Sequence, residues 1–328
     1  MKYAKKTWNL IDNYLLARLL NKPSTASFWY LPEPANLVSH EDLFHYMNSP
    51  CSPRYLLDYR QKLQYQFVND DGIIMLPYDQ PIGAQINPEA AFQYALGLHD
   101  QFHLSNEQTF LNRFMHYVDY FLARQTQDGY WEYNFDWYGS KAPWHSALAQ
   151  ARGSSVMLRA WKHSGDEKYL NSAKLALSKF TIPSTQGGFL HEFAPEKCMY
   201  FEEYPHTPTG VINGFMACLM NIWELKYWTH DAALHELWES GMHSLEKMLP
   251  HYTNGWWSLY DLDKNSPIAN VNSPRYHLLE MNYLKILATL SESAVIEREY
   301  ARRSQQYHNL ISRAQAFSLK IVRKILYR

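Results

Sequence analysis

Four glycine turns recur along this chain at nearly even intervals, and no other feature restricts its fold as much. Asp71-Gly72, Asp128-Gly129, Gly187-Gly188 and Asn254-Gly255 are dipeptides of the kind that two-residue hairpins need, because their turn residues take positive φ. Apolar or aromatic residues follow each one: Ile73-Ile74-Met75, Tyr130-Trp131, Phe189-Leu190 and Trp256-Trp257. Gly72, Gly129, Gly188 and Gly255 stand 57, 59 and 67 residues apart, a period that signals a repeat architecture.

Two helical patterns fill each interval. The stretch 144–163 is rich in small residues, and 166–180 then carries Tyr169, Ala173, Ala176, Leu177 and Phe180 at three-to-four spacing. The stretch 208–229 is apolar nearly all round, whereas 231–249 is amphipathic. A helix apolar on every side must be buried on every side, and its amphipathic partner faces water on one. The expected fold is therefore all-α dominated: an (α/α) toroid or barrel of helix pairs, with short β-hairpins walling a cleft at one end. An open helical solenoid is the competing arrangement, and it would leave the apolar helices wet. The expected organisation is an N-terminal helical and proline-rich arm over 1–70, a toroid over 71–300 and a basic amphipathic helix over 301–328.

Charge and cysteine content narrow the setting. With 31 Lys+Arg against 32 Asp+Glu, the net charge of -1 gives no global field to recruit nucleic acid, so an anionic ligand must meet a local patch. The 3 cysteines, Cys51, Cys198 and Cys218, form no CxxC and no zinc-like spacing, which fits a reducing compartment. Asp12, Asn13 and Arg18 interrupt the N-terminal apolar run, so it does not read as a signal peptide, and the expected setting is cytoplasmic. The tail places Leu310, Ala314, Phe317, Ile321 and Ile325 on one stripe, with Arg313, Lys320, Arg323, Lys324 and Arg328 around it. The favoured expectation is that such a helix packs its stripe on its own domain and solvates its charges; the alternatives are that it lies at an anionic membrane, beside a synthase, or along a polyanionic chain.

Polar chemistry concentrates at three points. Glu202, Glu203, Tyr204 and His206 precede the apolar run at 208, where Pro208 fits a first helical turn and Thr207 fits its cap. Tyr260-Asp261 ends the fourth hairpin, and Arg275-Tyr276-His277 opens the next helix. A phenol is a poor base near neutral pH, so a tyrosine-based site needs a neighbouring cation or donor. Arg275, His277 and His206 are the candidates. Tyr130, Trp131, Trp144, Trp256 and Trp257 are the expected sugar-stacking walls, in a chain with 25 Tyr and 11 Trp.

These segments resemble the catalytic domain of the D-glucuronyl C5-epimerases. The resemblance is carried by KYLNSA (168–173), EEYPHTP (202–208), VINGFM (211–216), GMHSLEKMLPHY (241–252), LYDL (259–262) and Tyr276-His277, with weaker similarity over 81–97 and 144–150. It implies an (α/α) toroid, usually a homodimer, acting without a cofactor on glucuronate within heparosan-type chains. It also implies that Glu203, Tyr204, Tyr260 and Tyr276 surround the uronate. Two departures stand out: the family's large central β-domain is missing between the arm and the repeat, and Arg275 occupies a position where the family pattern is acidic. The chemistry suits the residues independently of the resemblance. Inverting C5 needs a proton removed α to a carboxylate and one returned to the opposite face, hence two proton carriers and a neutralised carboxylate. Three rivals share the fold: a polysaccharide lyase, a glycoside hydrolase pairing Glu203 with Asp261 or Asp136, and a non-catalytic glycan-binding toroid.

Overall fold

The computed structural model describes residues 28–49, 53–137, 139–263 and 267–326. The expected amphipathic helix at the N-terminus, Cys51 and Arg328 lie outside the described residues.

Among the described residues, a short helix α1 (His40–Met47) is followed by four helix pairs. These are α2 (Pro88–Ser105) with α3 (Gln108–Leu122), α4 (Ala147–Ser164) with α5 (Glu167–Leu177), α6 (Ile212–Thr229) with α7 (Ala232–Met248), and α8 (Pro274–Ser291) with α9 (Ala294–His308). The first member of each pair is buried over most of its circumference, and the second buries one face. Consecutive inner helices pack side by side, α2 on α4, α4 on α6 and α6 on α8, as an (α/α) toroid requires. Asn87, Ser146 and Ser273 cap α2, α4 and α8 through side-chain oxygens, which fixes where three of the four inner helices begin.

The arm joins the first inner helix to the last. Arg275 and Asn282 of α8 donate to the carbonyls of Leu31 and Glu33, and the Tyr59 carbonyl lies where a Cβ on Gly97 of α2 would come within 2.6 Å. Its buried tyrosines reach the centre of the ring. Tyr55 and Tyr59 stack at 5.5 Å, and Arg152 of α4 donates to both hydroxyls. Arg152 also pairs with Glu89 of α2 at 3.1 Å, so one buried guanidinium ties α4, α2 and the arm together.

The four turn glycines all take positive φ, from +75 to +94 for Gly72, Gly129, Gly187 and Gly255. Asp71, Asp128 and Asn254 do not share it, and Asn69 N–H to Ile73 O and Thr126 N–H to Tyr130 O close wider turns than the expected two-residue hairpins. The third expected hairpin is displaced. Gly187 ends a 3-10 turn, while the strands β3 (Leu190–Phe193) and β4 (Cys198–Phe201) turn at 194–197, with Lys197 at φ 49. Gly188 is required for a different reason, since a Cβ there would fall 2.1 Å from the Ile182 carbonyl oxygen. The earlier pair, β1 (Leu76–Pro77) and β2 (Ala84–Gln85), is two residues long on each side.

Two local expectations are corrected. Helix α6 starts at Ile212 rather than 208, and Thr207 does not cap it, because residues 202–211 are drawn into a loop around Glu202. The final helix, α10 (Leu310–Leu326), turns the other way from its apolar stripe. Ala316 is buried, and Leu319 packs beside it, whereas Leu310 and Ile325 are exposed. Polar partners account for that rotation: Lys320 donates to Asn270 at 2.7 Å, and Arg323 stands 3.8 Å from Asp263. Among the described residues no helix is long and apolar enough to cross a membrane.

Candidate active site

The two adjacent glutamates do different work. Glu202 is fully buried, and its carboxylate accepts from the Tyr200 hydroxyl at 2.7 Å, the Tyr204 N–H at 3.1 Å and the Gly210 N–H at 2.9 Å. Three donors on one carboxylate close the EEYPHTP segment into a rigid loop. Further bonds fix that loop to the fourth hairpin: the Tyr252 hydroxyl donates to Gly210 O at 2.7 Å, and Leu262 N donates to Thr209 O at 2.9 Å. Tyr260 is thereby held beside the loop, with its carbonyl near the Ile212 N–H.

Glu203 has no such set of partners. It is buried, and its Oε2 has no hydrogen-bond partner. Burial pushes its carboxyl up to about 8, with Glu89 and Glu202 adding to the effect and the Tyr204 phenol and Arg152 opposing it. The carboxyl rests on the first turn of α6, where a Cβ on Gly214 would come within 2.3 Å of Oε2. This gives the glycine of VINGFM its reason. Alanine is favoured over glycine in a helix by about 1 kcal/mol, but here it would displace the glutamate. Gly214→Ala is therefore expected to lower turnover about 10²-fold while the protein still folds, as a geometric displacement of a reacting group does. Activity and a thermal melt measured on the same sample check this.

The four side chains expected around a uronate come together from three segments. Tyr204 lies within hydrogen-bonding reach of the Glu203 carboxyl, Tyr260 and Tyr276 meet edge to face at 5.2 Å, and the proximity of Glu203 and Tyr260 makes Tyr204 harder to ionise. Burial holds the Tyr204 and Tyr260 phenols well above the ordinary tyrosine value, so both are protonated donors. Trp144 backs the group. Its ring is 6.1 Å from Tyr204 and stacks on Tyr133 at 4.0 Å.

Several expected binding residues sit elsewhere. Trp131 is buried against Phe92, with its indole N–H given to Phe121 O, and Trp257 is buried with its N–H given to Asn272 O. Neither wall is open to a sugar, because an indole whose N–H finds a carbonyl across elements is well suited to the interior. Trp256 packs beside Trp257 under α10. His277 is fully buried between the Ser258 hydroxyl and Arg303 O, stacks on Trp257 at 3.9 Å, and is driven down to about 3 by burial. Arg275 turns to the arm, 3.4 Å from Glu33. Exposed His206 meets His145, which stacks on Tyr130 at 3.9 Å, so these three form a separate group. Of the carboxylates considered as a second acid, Asp136 is exposed and paired with Lys141 at 2.6 Å, and Asp261 accepts from Asn270.

Sequence reasoning missed Glu89. It is buried beside the cluster, its Oε2 lacks a partner, and its charge acts on both Glu203 and Tyr133. A glutamate among Pro88, Ala90, Ala91 and Phe92 in the first turn of an inner helix was the available signal. Among the described residues no group of three or more His, Cys, Asp or Glu side chains is arranged to hold a metal. Cavities of about 390 and 290 Å³ lie away from the cluster, lined by residues such as His116 and Tyr117 in one and Arg54 and His103 in the other.

Residues 99–305 match the family described as D-glucuronyl C5-epimerase C-terminus, which takes in more than half of the chain. The chain belongs to that family. It is 36% identical over 170 residues to a D-glucuronyl C5-epimerase of Caenorhabditis elegans, covering 47% of this chain and 27% of that protein. It is also 33% identical over 159 residues to an uncharacterized protein of Methanocaldococcus jannaschii, covering 47% of this chain and 51% of that one. The chain therefore spans only part of the length of the curated relatives it matches. Among solved structures it is similar to an unsaturated glucuronyl hydrolase from Bacillus sp. GL1, at 13% identity and TM-score 0.45 over 70% of this chain and 60% of that one. A family 76 glycoside hydrolase from Bacteroides thetaiotaomicron gives 10% identity and TM-score 0.44 over 70% and 61%. Neither structural likeness decides anything about function. Glu203, Tyr204, Tyr260 and Tyr276 all fall within the segment matched to the C5-epimerase family, whereas Glu89 lies before it.

Proposed function

We propose that this chain inverts C5 of D-glucuronate residues within a heparosan-like polysaccharide, giving L-iduronate by removal of a proton and its return to the opposite face. The observation that carries the proposal is the convergence of one poorly solvated carboxyl and three phenols from the EEYPHTP loop, the fourth hairpin and the start of α8. The environments of these groups divide the work. Glu203, raised to about 8, is the one group whose proton is exchangeable near neutrality, and it serves as the base. Tyr204 and Tyr260, kept protonated by burial, serve as donors to the developing enolate and to C5 from the other face. Tyr276 orients Tyr260 through the edge-to-face contact. The same abstraction opens a lyase reaction, in which the C4 substituent leaves instead of C5 regaining a proton. The two outcomes are separated by following solvent deuterium into C5 alongside formation of an unsaturated product.

Removing either hydroxyl without changing the ring tests the assignment. Tyr204→Phe and Tyr260→Phe are each expected to slow C5 exchange about 10²-fold or more, with unchanged circular dichroism. Wild-type exchange in either variant removes that tyrosine from the mechanism.

A further inference from the structure

The chemistry proposed above calls for a cation at the uronate carboxylate, and the basic side chains that the sequence offers beside the tyrosines are engaged elsewhere. Arg275 is held by Leu31 O and Glu33, His277 is buried and neutral, and His206 stands with His145. Arg152 is buried and bound to Glu89 and the arm tyrosines. A different cation does reach the cluster, and it comes from α10, which lies beyond the residues matched to the family. With Ala316 and Leu319 seated on the Trp257 and Val271 platform, the next turn brings the Lys320 ammonium 4.9 Å from the centroid of the Tyr260 ring. Lys320 donates to Asn270 Oδ1 at 2.7 Å, while the Asn270 carbonyl accepts the Tyr260 N–H at 2.7 Å and its amide donates to Asp261 at 2.5 Å. The ammonium is thus held in register with Tyr260 by the same short segment that positions the phenol.

We propose that Lys320 receives the uronate carboxylate, so that the C-terminal helix supplies the anion-binding cation of the site. The inference rests on the reading of the cluster as a uronate site. A lysine ammonium is a compact charge with three donors, so beside Asn270 and the Asp261 charge on which it also acts it can turn toward a carboxylate oxygen brought against the Tyr260 ring. Its attraction strengthens as C5 loses its proton and charge builds on that oxygen.

The test uses the full chain, Lys320→Met and Lys320→Arg, with heparosan oligosaccharides and the same oligosaccharides after reduction of their carboxylates. Binding is read by calorimetry and turnover by deuterium exchange at C5. The wild type is expected to prefer the carboxylate form. Lys320→Met, folded by circular dichroism, is expected to lose that preference and to raise KM about tenfold, and Lys320→Arg is expected to recover most of both. A wild type without the preference, or a Lys320→Met chain that discriminates as well as the wild type, overturns the assignment. Discrimination lost in Lys320→Met, in a protein that shows no exchange at all, would uphold Lys320 as the carboxylate ligand and overturn the epimerase reading instead.

Discussion

A chain carrying Glu203→Gln is expected to exchange C5 hydrogen about 10³-fold more slowly than the wild type and to fold as well or better. The amide keeps the volume that rests on Gly214 and removes the only clustered group poised to carry a proton near neutrality. The pH dependence sharpens the test. Carboxylate is the form that accepts the proton, so wild-type kcat/KM for exchange should climb as pH rises through about 8 and then level, and the glutamine variant should show no such limb. Stability moves in the opposite direction. Glu203 is raised from 4.5 to about 8 on folding, so between those values the unfolded chain has released a proton that the folded one still holds. Stability therefore falls as pH rises across that window. Glutamine has no proton to release, so the melting-temperature advantage of the variant should grow from acid pH toward pH 8. Exchange at the wild-type rate in Glu203→Gln would remove the glutamate from the chemistry.

Arg152→Met is expected to cost about 3–5 kcal/mol of stability, because it leaves the buried Glu89 carboxyl without its cation. Tyr55 and Tyr59 lose their shared donor in the same step, so the arm should come away from the toroid before the helix pairs unfold. Urea titration gives the first quantity, and limited proteolysis between 53 and 65 gives the second. A double variant, Arg152→Met with Glu89→Gln, should regain part of the loss, since no carboxylate then remains unpaired. A change below about 1 kcal/mol in the single variant would mean that the guanidinium is not what holds arm and ring together.

The repeat was legible because it is written in local chemistry. Glycines at positive φ, small or apolar residues all round the inner helices and amphipathic outer helices are each visible without knowing what lies across the ring. The cluster of Glu203, Tyr204, Tyr260 and Tyr276 was found through motif resemblance, and the fold explains it by fastening the EEYPHTP loop to the fourth hairpin. What stayed hidden depends on contacts between distant segments. Nothing in the order of residues tells that Trp131 and Trp257 will give their indole protons to carbonyls in the interior, or that His277 will be enclosed by Ser258 and the end of α9. The start of α6 was misplaced because Glu202, rather than Thr207, takes up the free N–H groups in that loop. The rotation of α10 escaped notice for a similar reason: its apolar stripe is the stronger local signal, yet Asn270 and Asp263 draw the basic side inward.

The most direct test is to incubate the protein with heparosan in deuterium oxide and analyse both the C5 position and the chain ends. Deuterium at C5, with iduronate appearing and no unsaturated uronate formed, is the predicted result. Unsaturated ends, or a C5 position that keeps its protium while the polymer binds, would contradict it.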